Sequence, residues 1–188
     1  MEFQELEGHF PFEQMRTSQR SALEKFVETT NKERKFTILE LPTGVGKSGI
    51  AVTLGRWADT HGAYLLTIQK MLQEQYLNEF PELVELKGAS NYRCRDYPVN
   101  CDEGAKIAKM DKKKVCAGGC EYKEAKERFI NTPFSVTNFA YFCSGAANQK
   151  SLFGKRKLLI IDEAHNTEQT LINHSNIEMS KALSLIHI

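Results

Sequence analysis

A glycine-rich loop at residues 43–48 constrains the fold of this chain more than any other feature. An apolar run at residues 36–41, rich in β-formers, precedes Pro42-Thr-Gly-Val-Gly-Lys-Ser48, and apolar residues at helical spacing follow through Trp57. A strand, such a loop and a helix in this order are typical of a phosphate-binding loop, whose backbone amides and helix N-terminus face an anion. The order predicts an α/β fold with a nucleotide phosphate site, and the alternative is a glycine-rich turn with a chance Lys-Ser pair.

Within this loop, two side chains have predicted chemical roles. Lys47 is expected to reach the β- and γ-phosphates of ATP, and the hydroxyl of Ser48 is expected to ligate Mg²⁺. The glycines let the backbone wrap around the phosphates. The residues predicted to bind ATP here are Thr43, Gly44, Val45, Gly46, Lys47 and Ser48.

Strand and helix patterns alternate along most of the chain, which predicts βαβ units and a parallel sheet. Residues 87–122 interrupt the alternation with cysteines, glycines and a lysine run, and are interpreted as an insertion. The predicted helices span residues 17–29 and 71–80, and the predicted strands span residues 36–41, 63–67, 134–137 and 157–161.

A second motif, the acidic sequence Asp162-Glu163-Ala164-His165, follows the apolar run at residues 157–161. In a parallel sheet the carboxyl ends of the strands share one edge, where the phosphate-binding loop also lies. Asp162 is therefore predicted to hold Mg²⁺ and Glu163 to polarise the attacking water. His165 lies beyond the chemistry and is predicted to couple the phosphate state to another surface. An isolated motif of this kind would otherwise be a solvated helix start.

Four of the five cysteines, Cys94, Cys101, Cys116 and Cys120, are clustered in the inserted segment. No apolar run reaches the length of a membrane helix and no signal-peptide pattern is present, so we expect a cytoplasmic protein, or a nuclear one in a eukaryote, with reduced thiols. Four thiolates suit either a [4Fe–4S] cluster or structural zinc, and unligated cysteines are the third interpretation. Cys143 is interpreted as a packed core residue.

These motifs, in this order, resemble superfamily 2 helicases of the XPD/DinG type over residues 10–172. The resemblance rests on the phosphate loop with Pro42 in place of a glycine, on Asp-Glu-Ala-His, on residues 86–94 and 120–126 around the outer cysteines, and on Ser135-Val-Thr-Asn-Phe-Ala-Tyr141. It implies a RecA-like parallel sheet with an inserted [4Fe–4S] domain held by the four clustered cysteines. The implied domains are 1–86 and 131–172 for the motor, 87–130 for the insertion, and 173–188 for a truncated tail.

The resemblance also implies binding roles for residues outside the two motifs. Gln19, with Arg16 and Phe12, matches the segment that reads adenine, although an ordinary helix start is the alternative for the latter two. Thr67 and Gln75 match the family's motif that grips the DNA backbone. The family often has a second threonine two residues after the first, and this chain has Gln69 there. Polar residues of such a helix otherwise face solvent.

Contact with single-stranded or forked DNA is the remaining expectation for the cysteine segment. The net charge is only +1, so a basic surface must be local. A lysine run at residues 106–114 is either solvated surface or a phosphate-binding surface, and aromatic residues beside basic ones can stack on bases. The predicted DNA contacts in this segment are Tyr92, Arg93, Lys112 and Lys113, with Arg95 and Tyr97 nearby.

Together these features predict an ATP-dependent DNA helicase, of 5′-to-3′ polarity by the resemblance, with ATP, Mg²⁺ and a [4Fe–4S] cluster. Two alternatives are an RNA helicase of the Asp-Glu-Ala-His type and a zinc-binding nucleic-acid module with a degenerate nucleotide site. A second motor domain of the same polypeptide is an expected partner, and this chain alone is expected not to unwind DNA. No membrane association is expected.

Overall fold

A computed structural model of the protein describes residues 1–58, 62–116, 118–148 and 152–175. Within these residues no helix is both long enough and apolar enough to cross a bilayer. The tail predicted at residues 173–188 falls outside the description beyond residue 175. The helices are α1 (Phe3–Glu7), α2 (Thr17–Asn31), α3 (Lys47–Trp57), α4 (Lys70–Glu79), α5 (Cys101–Met110), α6 (Glu121–Asn131), α7 (Phe139–Asn148) and α8 (Thr167–Ser175), and the strands are β1 (Ala63–Thr67), β2 (Val84–Leu86), β3 (Phe134–Asn138) and β4 (Leu158–Ile161).

The four strands form one parallel sheet in the order β2-β3-β1-β4, which confirms the predicted α/β architecture. Strand β1 is central and buried at every position, as expected for a strand covered on both faces. Leu66 of β1 lies opposite Ile161 of β4, and Thr67 lies opposite Asn138 of β3. Asp162, the next residue after β4, therefore emerges at the same sheet edge as the end of β1.

Apolar side chains cover both faces of the sheet because neighbouring strand residues point in opposite directions. Leu65 packs on one face with Val52 of α3 and Tyr76 of α4. Leu66 packs on the other face with Phe129 of α6 and Phe139 of α7. A third cluster joins α1, α2 and α3. Helix α3, which starts at the glycine-rich loop, is thus fixed between the sheet and the N-terminal helices.

The strand predicted at residues 36–41 is not formed, and this prediction was wrong. Leu39 and Leu41 pack on the third cluster, whereas Phe36 and Ile38 are 81% and 91% exposed. Leu39 and Leu41 are half-buried. β-forming residues do not by themselves provide a neighbouring strand, and this segment joins no ladder in the described part of the chain.

The cysteine segment occupies the connection between β2 and β3, two neighbouring parallel strands. It contains a 3-10 turn at Ala89–Asn91, a single antiparallel bridge between Arg93 and Asn100, and helices α5 and α6. Helix α6 returns to the sheet and buries Ala125 and Phe129 in its core. The segment is therefore inserted in a crossover connection, while the boundaries 87–130 remain a prediction.

Candidate nucleotide-binding site

The glycine-rich loop adopts the conformation that its glycines permit. Gly44 and Gly46 have φ angles of +78° and +81°, in the left-handed region that favours glycine. Gly46 is the N-cap of α3, so the helix begins at Lys47. The first amides of a helix have no intrahelical partner and face outward with a positive potential, which makes this end suited to an anion. Thr43 is exposed, and Val45 and Ser48 are half-buried.

Lys47 and Glu163 join the two motifs across 116 residues of sequence. Nζ of Lys47 lies 3.1 Å from Oε1 of Glu163, and both side chains are about one-third exposed. Glu163 has a φ angle of +54°, a left-handed conformation that costs a non-glycine residue of order 1–3 kcal/mol. Such strain is found where function constrains the backbone. The loop lysine and the acidic motif therefore face the same space.

Asp162 points away from Glu163 and is held by two donors. Its Oδ1 accepts a hydrogen bond from the Glu163 amide at 3.0 Å. Its Oδ2 accepts one from the hydroxyl of Tyr76 at 2.9 Å. Burial and the adjacent Asp162 carboxylate raise the pKa of Tyr76, so the phenol remains a donor. The two carboxylates of the motif thus have separate partners.

Sequence reasoning missed Tyr76. A buried tyrosine hydroxyl requires a hydrogen-bond partner. The predicted helix at residues 71–80 therefore indicated that Tyr76 would have one if it were buried. The identity of the partner was not available, because it depends on how α4 is placed against the end of β4. Only the tertiary structure gives that placement.

The predicted adenine segment contacts the glycine-rich loop directly. Nε2 of Gln19 donates to the Gly46 carbonyl at 3.1 Å, and Oε1 accepts from the Arg16 amide at 2.9 Å. The guanidinium of Arg16 donates to the Gly44 carbonyl at 2.6 Å. Phe12 lies over Gly49, where an added Cβ would meet its ring at 2.9 Å. These three residues therefore line the loop, and their role in reading adenine stays a prediction.

The chain matches a family of known proteins over most of its length. The sequence model of the family described as Type III restriction enzyme, res subunit, matches residues 12–187. The chain belongs to this family. No curated protein and no solved structure matches the chain significantly. The res-subunit family has a superfamily 2 helicase-type domain, so this chain is assigned to the ATP-hydrolysing nucleic-acid motors.

His165 follows the acidic pair in this res-subunit domain. Its ring is largely exposed and Nδ1 lies 3.4 Å from Oε2 of Glu163. Nε2 lies 2.9 Å from the Asn166 side-chain amide. The coupling role of His165 stays a prediction.

The residues predicted to contact DNA do not form one surface. Thr67 is 0% exposed and its hydroxyl finds no partner among the described residues, so it does not reach the surface in this structure. Gln75 is exposed on α4. Tyr92 faces inward, with its hydroxyl accepting from the Lys87 amide at 3.1 Å and its ring 5.6 Å from that of Tyr122.

Among the basic residues of the cysteine segment, Arg93, Lys112 and Lys113 are exposed. Lys113 lies 3.6 Å from Asp111. Arg95 makes a bidentate pair with Glu124, at 2.7 and 2.9 Å, and is thus neutralised. Because Lys113 and Arg95 lie beside carboxylates, fewer unpaired cations are available to DNA in this segment than the sequence suggests.

The four clustered cysteines come together in the fold. Sγ of Cys101 and Sγ of Cys120 are 3.4 Å apart and both residues are buried. Cys116, with a φ angle of +60°, also interacts with Cys120. A Cβ added to Gly104 would lie 2.3 Å from Sγ of Cys94, so only glycine fits there.

Burial raises the pKa of the Cys101 thiol to about 12. Burial opposes ionisation of Cys120 as well, but hydrogen bonds from the Lys123 amide and the Cys101 thiol lower its pKa. Within the described ranges, no group of three or more His, Cys, Asp or Glu side chains is spaced to hold a metal ion as it stands. Cys143 lies on α7, half-buried and packed against the core, as predicted.

Proposed function

We propose that this chain is the first motor domain of an ATP-dependent DNA helicase of the XPD/DinG type, acting with 5′-to-3′ polarity. The contact between Lys47 and Glu163 carries the ATPase part of this proposal. The contact supports the proposal because it joins the proposed phosphate-binding cation to the carboxylate proposed to orient water. The coarser assignment, a superfamily 2 nucleic-acid motor, follows from membership of the res-subunit family.

Each residue of the site has a task in hydrolysis. The amides at the start of α3 hold the β- and γ-phosphates, and Lys47 exchanges Glu163 for the γ-phosphate. Glu163, once released, accepts a hydrogen bond from the water that attacks the γ-phosphorus, as the bond to the bridging oxygen breaks. Before nucleotide binds, the ion pair keeps both side chains in the site.

A magnesium ion fits the donors present, because hydroxyl and carboxylate oxygens are the ligands that Mg²⁺ prefers. Ser48 and Asp162 would hold it, and among the described residues each Asp162 oxygen accepts one hydrogen bond. When bound, Mg²⁺ supplies positive charge to the phosphates of the transition state. Asp162 contributes its fixed direction, which its two hydrogen bonds maintain.

The cysteine segment is proposed to hold a [4Fe–4S] cluster. Support comes from four thiols, the ligand number of such a cluster, in one region of the crossover. One distance favours zinc instead, because Zn–S bonds of about 2.3 Å in a tetrahedron place sulfurs about 3.8 Å apart. The 3.4 Å separation of Cys101 and Cys120 is near that value, and a cluster of four irons requires the pair to move apart.

DNA is the proposed polymer, gripped through Gln75 on α4 and the exposed Arg93, Lys112 and Lys113. Their exposure supports this role. In the proposal, Thr67 contributes only if α4 moves, since its hydroxyl is enclosed.

Nucleotide binding by the purified chain, followed with a fluorescent ATP analogue, tests the motor assignment. Saturable binding that Mg²⁺ strengthens is expected. Single strands of DNA and RNA, compared as stimulators of ATP hydrolysis by the full-length protein, test the choice of polymer. Stimulation by RNA alone would replace the DNA helicase with an RNA helicase, and absence of nucleotide binding would leave the zinc-binding module.

A further inference from the structure

Tyr76 connects α4 to the acidic motif. Its ring lies in the core with Leu65 and Val136, at 6.2 Å from the ring of Phe80, and the residue is 3% exposed. The hydroxyl is the polar end of this packed ring and donates to Oδ2 of Asp162 at 2.9 Å. Because the ring cannot rotate or shift freely in a packed core, the position of the hydroxyl is fixed by α4.

The hydrogen bond from Tyr76 completes the restraint on the Asp162 carboxylate. Oδ1 already accepts from the Glu163 amide at 3.0 Å, which alone would leave the group free to tilt about that bond. A donor on each oxygen fixes the plane of the carboxylate. A carboxylate oxygen has two lone pairs, so each oxygen retains one for a further partner.

We propose that Tyr76 is a positioning residue that orients the Asp162 carboxylate to receive Mg²⁺, which makes α4 part of the nucleotide site. The inference rests on the proposed ATPase function. A carboxylate oriented in advance loses less conformational freedom when it ligates the ion, so the ion binds more tightly. A tyrosine that only filled the core would contribute packing and have no effect on Mg²⁺.

The hydroxyl is the part of Tyr76 that the inference requires, so Tyr76→Phe is the test and retains the ring. Tyr64→Phe is the matched control. Tyr64 is also buried, and its hydroxyl donates to the Gly154 carbonyl at 3.3 Å, away from both carboxylates. Urea unfolding of both variants checks that each is folded.

The measurement is the binding of a fluorescent ATP analogue at fixed concentration while Mg²⁺ is titrated from an EDTA-treated start. Since the lost hydrogen bond is made to a charged group, the half-saturating Mg²⁺ concentration should rise roughly tenfold in Tyr76→Phe. Affinity for the analogue in EDTA should be unchanged. Tyr64→Phe should give the wild-type Mg²⁺ titration.

Three results would overturn the inference. An unchanged Mg²⁺ titration in Tyr76→Phe would make Tyr76 a core residue only, and an equal loss of affinity with and without Mg²⁺ would indicate a general structural effect. A wild-type chain that binds the analogue without any gain from Mg²⁺ would refute the role of Asp162 while leaving nucleotide binding intact. If the wild-type chain binds no nucleotide in either condition, the proposed function itself fails.

Discussion

Lys47 and Glu163 form an ion pair that joins the glycine-rich loop to the acidic motif, with 3.1 Å between Nζ and Oε1. The pair is only partly exposed. In the proposed reaction, the γ-phosphate competes with Glu163 for Lys47, and the attacking water competes with Lys47 for Glu163. Nucleotide binding therefore exchanges one charge contact for another at Lys47. The cost of separating the pair reduces the net affinity for ATP, and its two members can be tested separately.

Lys47→Ala should weaken binding of an ATP analogue roughly tenfold to a hundredfold, the range expected from losing a hydrogen bond to a charged group. Fluorescence titration of the purified chain measures this. Lys32→Ala is the control, because it removes a Lys–Glu pair with Glu28 on the exposed surface of α2. Equal affinities of the two variants would contradict the phosphate role of Lys47.

Glu163→Gln should stop hydrolysis and spare binding. Glutamine keeps the shape of the side chain, but it attracts a water proton less than a carboxylate does, and general-base contributions are typically of order 10²–10⁴-fold. Binding should hold or strengthen, since Lys47 no longer leaves a negative partner. Phosphate release by the full-length protein with single-stranded DNA is the measurement. Hydrolysis at the wild-type rate would remove Glu163 from the mechanism.

The sequence identified those motifs in which a short stretch contains the reactive side chains and also determines the local backbone conformation. The glycine-rich loop is one, because glycines at positive φ and the start of α3 at Lys47 determine the cradle locally. The acidic pair is another, since a parallel sheet brings strand ends to one edge. Local rules of this kind predicted that Lys47 and Asp162 lie in the same site, and the structure places them there.

Sequence reasoning failed where the answer depends on how elements are placed against one another. The hydrogen bond between Tyr76 and Asp162 requires the register of α4 on the sheet. The burial of Thr67 likewise depends on tertiary packing, which no spacing rule gives. At residues 36–41, β-forming residues predicted a strand, but the structure forms none there.

Gly46→Ala and Gly44→Ala should separate backbone strain from the loss of a contact. Both residues have positive φ, so alanine at either costs about 1–2 kcal/mol of stability. A Cβ at Gly46 would lie 2.4 Å from Nε2 of Gln19, whereas a Cβ at Gly44 meets nothing within 4 Å. We expect Gly46→Ala to displace Gln19 and to lose more stability in urea unfolding. Equal losses would show that Gln19 is not fixed by the loop.

Metal content should distinguish the interpretations of the cysteine segment. Protein purified without oxygen should contain iron and sulfide and absorb broadly in the visible, and Cys101→Ser should abolish both. Cys143→Ser is the control and should leave the metal content unchanged, since Cys143 lies on α7 and packs against the core. One tightly bound zinc without iron would favour the structural-zinc alternative, and loss of metal in Cys143→Ser would show that the ligand set is wrong.

Arg156→Met should cost the fold about 2–4 kcal/mol, because its guanidinium donates to several backbone carbonyls in mostly part-buried hydrogen bonds. The same group lies 3.9 Å over the ring of Tyr64, so methionine also loses a cation–π contact. Urea unfolding measures the change, with Lys155→Met, at an exposed neighbouring position, expected within about 0.5 kcal/mol of wild type. A cost for Arg156→Met as small as that for Lys155→Met would mean that these bonds contribute nothing net. This one side chain links the end of α6 to the starts of β1 and β3. Its acceptors are the carbonyls of Ala63, Phe129, Thr132 and Pro133 and the hydroxyl of Ser135.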